Sequence, residues 1–174
     1  MASQDRDRAV TFSAQLAQAH QELRRKISLL KAGLSQRQPA NVLITHCLAF
    51  CSALTSHHQG EDSGMFADLL RERPDLAATI SNLVEDHRLI APILSRVAEI
   101  ADQTLGSEGS MPDAIRFELD GLAAIMESHF AYEERAISAA LDGGIPDTGW
   151  SGMVFRFRDG DHDVDKLKGL PDDR

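Results

Sequence analysis

The sequence predicts an all-α protein: an up-down-up-down four-helix bundle with a short connector helix between its second and third long helices and a C-terminal tail. Three observations point there. Four stretches carry apolar residues at alternating steps of four and three, the seam of a helix packed in a bundle. The composition is 43% hydrophobic but only 5% aromatic, so the core is built from aliphatic side chains. Each seam is also interrupted by polar residues of the same kinds: His57 with Glu61 and His129 with Glu133 as two copies of His-x-x-x-Glu, and His20 and His87 singly. With 174 residues the chain is long enough for one domain with a real core. The bundle is expected over residues 1–146, and residues 147–174 form a tail that packs on it or is partly disordered.

The first helix is expected from Asp5 to Leu34, with a seam of Leu16, His20, Leu23, Ile27, Leu30 and Leu34; it ends in the Ser35 to Pro39 linker. The second runs from after Pro39 to about Asp62 through Leu43, Cys47, Phe50, Leu54, His57 and Glu61, with Gly60 weakening its end. Met65 to Arg71 reads as the connector, and Pro74 suits the first turn of the third helix. That helix shows Leu76, Ile80, Leu83, His87, Ile90, Leu94, Val97 and Ala101; Pro92 deletes an amide donor inside it and is expected to kink it. Gly106 to Met111 is a loop, and Ser110 with Asp113 resembles a capping box ahead of the fourth helix, with Pro112 at its start. The fourth seam reads Ile115, Leu119, Leu122, Met126, His129, Glu133, Ala136 and Ala140, stopping at Gly143-Gly144. In the tail, Met153, Phe155 and Phe157 alternate with other residues in a strand-like pattern, Trp150 and the two phenylalanines suit packing over the bundle, and a lid over the polar residues is one role for it. The Asp-rich end beyond reads as disordered.

A net charge of −9 argues against a nucleic-acid partner, because a phosphate backbone needs a basic face. Cys47 and Cys51, the only cysteines, lie four apart on one helix, poorly placed for a disulfide and better read as small core residues; a reducing compartment follows. The start is charged and amphipathic, with no apolar leader segment, and no apolar run has the length of a membrane span. The expectation is a cytoplasmic protein without a membrane partner.

The polar residues in the seams carry the functional reading. A spacing of four puts an imidazole and a carboxylate on one helix face, one turn apart. An ionised carboxylate buried without partners costs several kcal/mol or more, and two close together repel. Cations among them satisfy every member at once, since neutral imidazoles and bridging carboxylates suit a pair of divalent or trivalent ions. Heights along the bundle agree. His87 and His129 are equally far from the centre of the loop that joins their helices, and His20 and His57 match within one turn about theirs. With seven histidines in the chain, chance gives on the order of 0.4 His-x-x-x-Glu matches, so two matches, both in seams, are informative. The predicted metal ligands are therefore His20, His57, Glu61, His87, His129 and Glu133.

Other candidates rank lower. His46 lies on the same side as His57 but three turns away and reads as a core histidine; His58 points about 100° from His57 and is expected near the surface, though a slip of one residue would put it in His57's place. His162 reads as solvated, and Tyr132, beside Glu133, as a residue of the rim.

The ordered series His20, His57 with Glu61, His87, and His129 with Glu133, spread over residues 12 to 142, resembles the hemerythrin-like (HHE cation-binding) family. The resemblance implies a non-haem di-iron centre, two iron ions joined by an oxo or hydroxo bridge, with Glu61 and Glu133 bridging them. His20 and His57 would then bind one iron, His87 and His129 the other. Two positions depart from the oxygen-carrying hemerythrins: Ala91 stands where those have a second histidine one turn after the third-helix ligand, and His129 pairs with Glu133 where they pair histidine with aspartate at a longer spacing.

Fewer imidazoles leave more exchangeable coordination positions, which favours binding or sensing a small oxidant (dioxygen, peroxide or nitric oxide) over oxygen carriage alone. A peroxide-decomposing, catalase-like di-iron enzyme is the alternative within that class. A structural or regulatory bundle with a non-redox metal such as zinc is the alternative outside it.

Overall fold

The computed structural model describes residues 10–106 and 109–157, and in it the chain is all-helical. The first nine residues and those after Phe157, including His162 and the expected disordered end, lie outside the described residues.

Helix α1 (Phe12–Ser35) starts later than Asp5 because the Thr11 hydroxyl caps it, accepting a bond from the Ala14 amide at 3.3 Å. Asp142, just past the end of the last long helix, also accepts from the Ser13 amide at 3.0 Å, tying that end of the chain to the start of α1. Helix α2 (Ala40–Gly60) does not stop at Asp62. The backbone continues through a π-helical turn (Glu61–Met65) into α3 (Phe66–Glu72), so the expected second helix and connector form one continuous rod. A π turn inserts one residue into the helical ladder and shifts every following side chain around the axis, a device concentrated at functional sites. Here it begins at Glu61.

A 3-10 turn (Pro74–Leu76) leads into α4 (Ala77–Thr104), which runs through Pro92 without interruption. Helix α5 (Asp113–Leu141) follows. Pro112 stands at its N-cap with no side-chain hydrogen bond, so the Ser110–Asp113 capping box does not form. A glycine turn with Gly144 at a φ of +95° reverses the chain after α5.

Helix α1 packs on α2 and α5, and α4 packs on α2 and α5, so the four long helices close a ring around a shared interior. Every residue of the four predicted seams is buried except Leu76 and Ala136; in the last helix the stripe passes to Ile137. The core is divided. One aliphatic cluster includes Leu23, Leu54, Ile90 and Met126, and a second includes Leu16, Met65, Leu83 and Ile137. On each long helix the polar seam residues fall between a member of the first cluster and a member of the second. They form a hydrophilic layer sealed by hydrocarbon above and below.

The tail is helical rather than strand-like: Ser151–Phe155 forms α6, which lies on α2, on the π turn and on α1. Two glycines make that approach available. A Cβ on Gly60 would sit 2.8 Å from Met153 Cβ, and one on Gly64 would sit 2.5 Å from Trp150 Cβ. Buried Asp68 on α3 anchors the tail, accepting from the Trp150 indole N–H and the Thr148 hydroxyl, each at 2.8 Å, while pairing with Arg71. Trp150 and Phe155 then pack around Phe12. No helix among the described residues is long and apolar enough to cross a membrane.

Candidate metal centre

The six predicted residues converge in the hydrophilic layer. His20, His57, Glu61 and Glu133 are fully buried, and His87 and His129 nearly so. His20 Nε2 lies 3.2 Å from His57 Nε2, and His87 Nε2 lies 3.0 Å from His129 Nε2, forming two imidazole pairs. Glu61 stands between them, with Oε1 2.9 Å from His57 Nε2 and Oε2 3.3 Å from His87 Nε2. Glu133 faces both pairs through one oxygen, 3.4 Å from His20 Nε2 and 3.6 Å from His129 Nε2.

The outer nitrogens fix the tautomers. His57 Nδ1–H donates to the Val154 carbonyl at 2.7 Å; a carbonyl can only accept, so the proton sits on Nδ1 and the inward Nε2 presents a lone pair. His20 Nδ1 donates to Glu134 at 2.8 Å, His87 Nδ1 to Asp62 at 2.7 Å and His129 Nδ1 to Asp86 at 3.1 Å. All four rings therefore turn Nε2 inward. An acceptor behind each ring is the arrangement that orients a metal-ligating imidazole and raises its basicity.

The acceptors follow a rule. Asp62, Asp86 and Glu134 are each adjacent in sequence to a site residue on their own helix (Glu61, His87 and Glu133), and each holds a histidine on the next helix. Only α1 breaks the pattern: the neighbours of His20 are Ala19 and Gln21. The missing acceptor for His57 is supplied by the tail, through Val154. These acids were legible as neighbours of the site residues but not as partners, since the pairing crosses helices. A backbone carbonyl leaves no mark in the sequence at all.

Charge makes the layer unstable by itself. All four carboxylate oxygens of Glu61 and Glu133 are buried without a hydrogen-bond partner, and the inward Nε2 atoms face them or each other. Burial, then repulsion from Glu133, pushes the Glu61 carboxyl well above the usual carboxylate range. Burial, with nearby His20 acting in the same direction, lowers His57 to about 4. For His20, burial acts downward but is outweighed by bonding to Glu133 and Glu134, which pushes it up to about 9. Glu133 answers in the opposite sense: burial raises it, while His20 and the other imidazoles hold it down at about 2. At 3.4 Å the His20–Glu133 contact is electrostatic attraction more than a well-formed hydrogen bond, which is why the Glu133 oxygens remain unsatisfied. Cations between the two imidazole pairs would meet every inward lone pair at once, so the donor set fits a metal. Nitrogen and oxygen donors of this kind suit iron, manganese or zinc.

Aromatic rings wall the layer. Phe130 stacks on His20 at 3.9 Å between centroids, and the Arg24 guanidinium lies over the Phe130 ring at 5.4 Å from its centroid. Arg24 also pairs with Glu134 at 3.2 Å; the His20 hydrogen bond first, and Arg24 after it, hold that carboxyl below the usual carboxylate range. Phe66 stacks more loosely on His87.

Two histidines depart from expectation. His46 is exposed, not a core residue. The seam of α2 repeats every 3.5 residues, so counting at 3.6 over three turns brings His46 onto the line of His57, whereas it sits one position off the buried Cys47. His58 is buried, not near the surface, because α4 covers the side of α2 next to the seam; its ring stacks on His87. Burial and the surrounding histidines push His58 well below the usual imidazole range. Cys47 and Cys51 are free, buried thiols. Tyr132 is half-buried against the second aliphatic cluster, under the Arg135 guanidinium.

Ligand-capable atoms of His20, His57 and Glu61, and of His58, Glu61, His87 and His129, form two groups, each with its atoms within 4.8 Å of one another. Both can hold a metal ion, and Glu61 belongs to both. No curated protein and no solved structure matches this chain. The family model described as hemerythrin HHE cation binding domain matches residues 11–141, which takes in all four long helices and every one of these site residues. The chain belongs to the hemerythrin HHE cation-binding family.

Proposed function

We propose that this protein is an up-down-up-down four-helix bundle holding two iron ions, and that it binds or senses a small oxidant such as dioxygen, peroxide or nitric oxide. Glu61 carries the proposal: a fully buried carboxylate with one oxygen toward each imidazole pair and no proton donor on either. His20 and His57 would hold one ion and His87 and His129 the other, with Glu61 and Glu133 shared between them. When bound, the iron pair supplies redox chemistry and coordination of the small ligand.

The chain's own residues do the rest. The acceptors behind the four rings keep Nε2 aimed inward. The two carboxylates offset the charge of the pair and hold the ions close. The aliphatic clusters on either side keep bulk water from the layer, which strengthens every electrostatic interaction within it. Cations that take more donors than these six residues offer would leave the remaining positions for a small ligand to exchange. Ala91, one turn beyond His87, is exposed and brings no donor to the layer.

Iron-loaded protein mixed with dioxygen, nitric oxide or peroxide tests the function. A reversible spectral change that saturates without turnover is the expected result. Steady oxygen release from peroxide would replace the binder or sensor with a peroxide-decomposing enzyme, and no spectral response to any of the three would remove the function altogether.

A further inference from the structure

His58 is the imidazole of the hydrophilic layer that the six predicted ligands leave out. It is 6% exposed, and its Nε2 is buried with no hydrogen-bond partner, an uncommon state for an imidazole nitrogen. The ring lies flat on His87, 3.8 Å between centroids and 12° from parallel, and meets His129 edge-on at 5.4 Å. A ligand-capable atom of His58 is within 4.8 Å of those of Glu61, His87 and His129. No acceptor that would make it a satisfied core histidine is bonded to that nitrogen. Meanwhile α4 offers nothing beyond His87 on that face, because the residue one turn on is Ala91.

We propose that His58 is a third imidazole ligand of the cation held by His87 and His129, delivered from α2 across the α2–α4 contact. The two cations are then unequal. The His87–His129 side offers three imidazoles and the His20–His57 side two. This assignment rests on the dinuclear centre proposed above.

The test is titration of the full-length, metal-free chain with cobalt(II) alone, comparing wild type with His58→Phe. Phenylalanine keeps a flat ring against His87 and removes the donor nitrogen. Wild type is expected to take up two ions. In His58→Phe one of the two binding steps should weaken by more than the roughly 10–100-fold lost when only an outer hydrogen-bond partner is removed. The visible cobalt bands of that ion should also intensify as its coordination number falls. His58→Cys, which restores a donor, should recover the step. Should His58→Phe not fold, wild-type protein with nitrogen-15 histidine and cadmium-113 gives the answer directly: His58 Nε2 should show scalar coupling to the same cadmium as His87 and His129. Two ions bound identically in wild type and His58→Phe, or no cadmium coupling at His58 alone, overturns the His58 assignment and leaves the dinuclear centre standing. Wild type that does not bind two ions overturns both.

Discussion

Gly64→Ala places one methyl group outside the metal layer and is predicted to weaken metal binding. The new Cβ would lie 2.5 Å from Trp150 Cβ and 3.1 Å from Trp150 Cγ. Both partners are close to backbone, so neither can swing aside, and the tail must lift. Lifting it disturbs Trp150, which is 4% exposed and donates its indole N–H to Asp68, and shifts the Val154 carbonyl that holds His57 Nδ1 at 2.7 Å. Complete loss of Trp150 packing would cost about 3–5 kcal/mol, an upper bound for a displacement. Loss of the acceptor behind one ligating histidine weakens metal binding about 10–100-fold, or roughly 1.4–2.8 kcal/mol. The assay is competition for the metal against a chelator, alongside thermal unfolding of the metal-free protein. Gly121→Ala is the control: it lies within α5 with open space around the added methyl and should stabilise by about 0.5–1 kcal/mol without touching metal affinity. Unchanged metal affinity in Gly64→Ala would refute the coupling between tail and His57.

Further outcomes follow from the same contacts. Glu61→Leu should abolish two-metal binding while leaving the metal-free protein as stable or more stable by about 1–4 kcal/mol, since an unpartnered buried carboxylate is replaced by hydrocarbon; calorimetry with and without metal reads both signs. Glu134→Gln and Asp86→Asn should each lower metal affinity by about 10–100-fold with little change in fold, seen by chelator competition. Metal affinity should rise with pH across neutrality. His20 is held at about 9 by Glu133 and Glu134, so below that value the ion must displace a proton from it, and binding at about pH 8 should be tighter than at about pH 6. A pH-independent affinity would place His20 outside the ligand set.

Much of this site was legible because it obeys a linear rule. A seam position is buried whether it carries leucine or histidine, so the six polar residues could be assigned to one interior from spacing alone. Residues that escaped did so for geometric reasons. One apolar stripe per helix predicts one buried face, but α2 is covered by α1, α4 and α6, and His58 occupies the second face. Periodicity cannot distinguish a helix that ends from one that passes through a π turn, so Glu61 and Asp62 read as a terminus and proved to be mid-rod. Gly60, which seemed to weaken that region, and Gly64 are contact points for the tail. The strand-like alternation around Met153 belongs to a short helix whose Val154 faces inward. Asp62, Asp86 and Glu134 were visible as acids beside candidate site residues, yet which histidine each would hold depended on the packing order of the helices.

Metal analysis joined to an absorption spectrum of the purified protein tests the central claim most directly. Two irons per chain, with near-ultraviolet and visible bands that vanish together in Glu61→Leu, is the predicted result. A colourless protein carrying a single zinc, or no metal after iron loading, would contradict it.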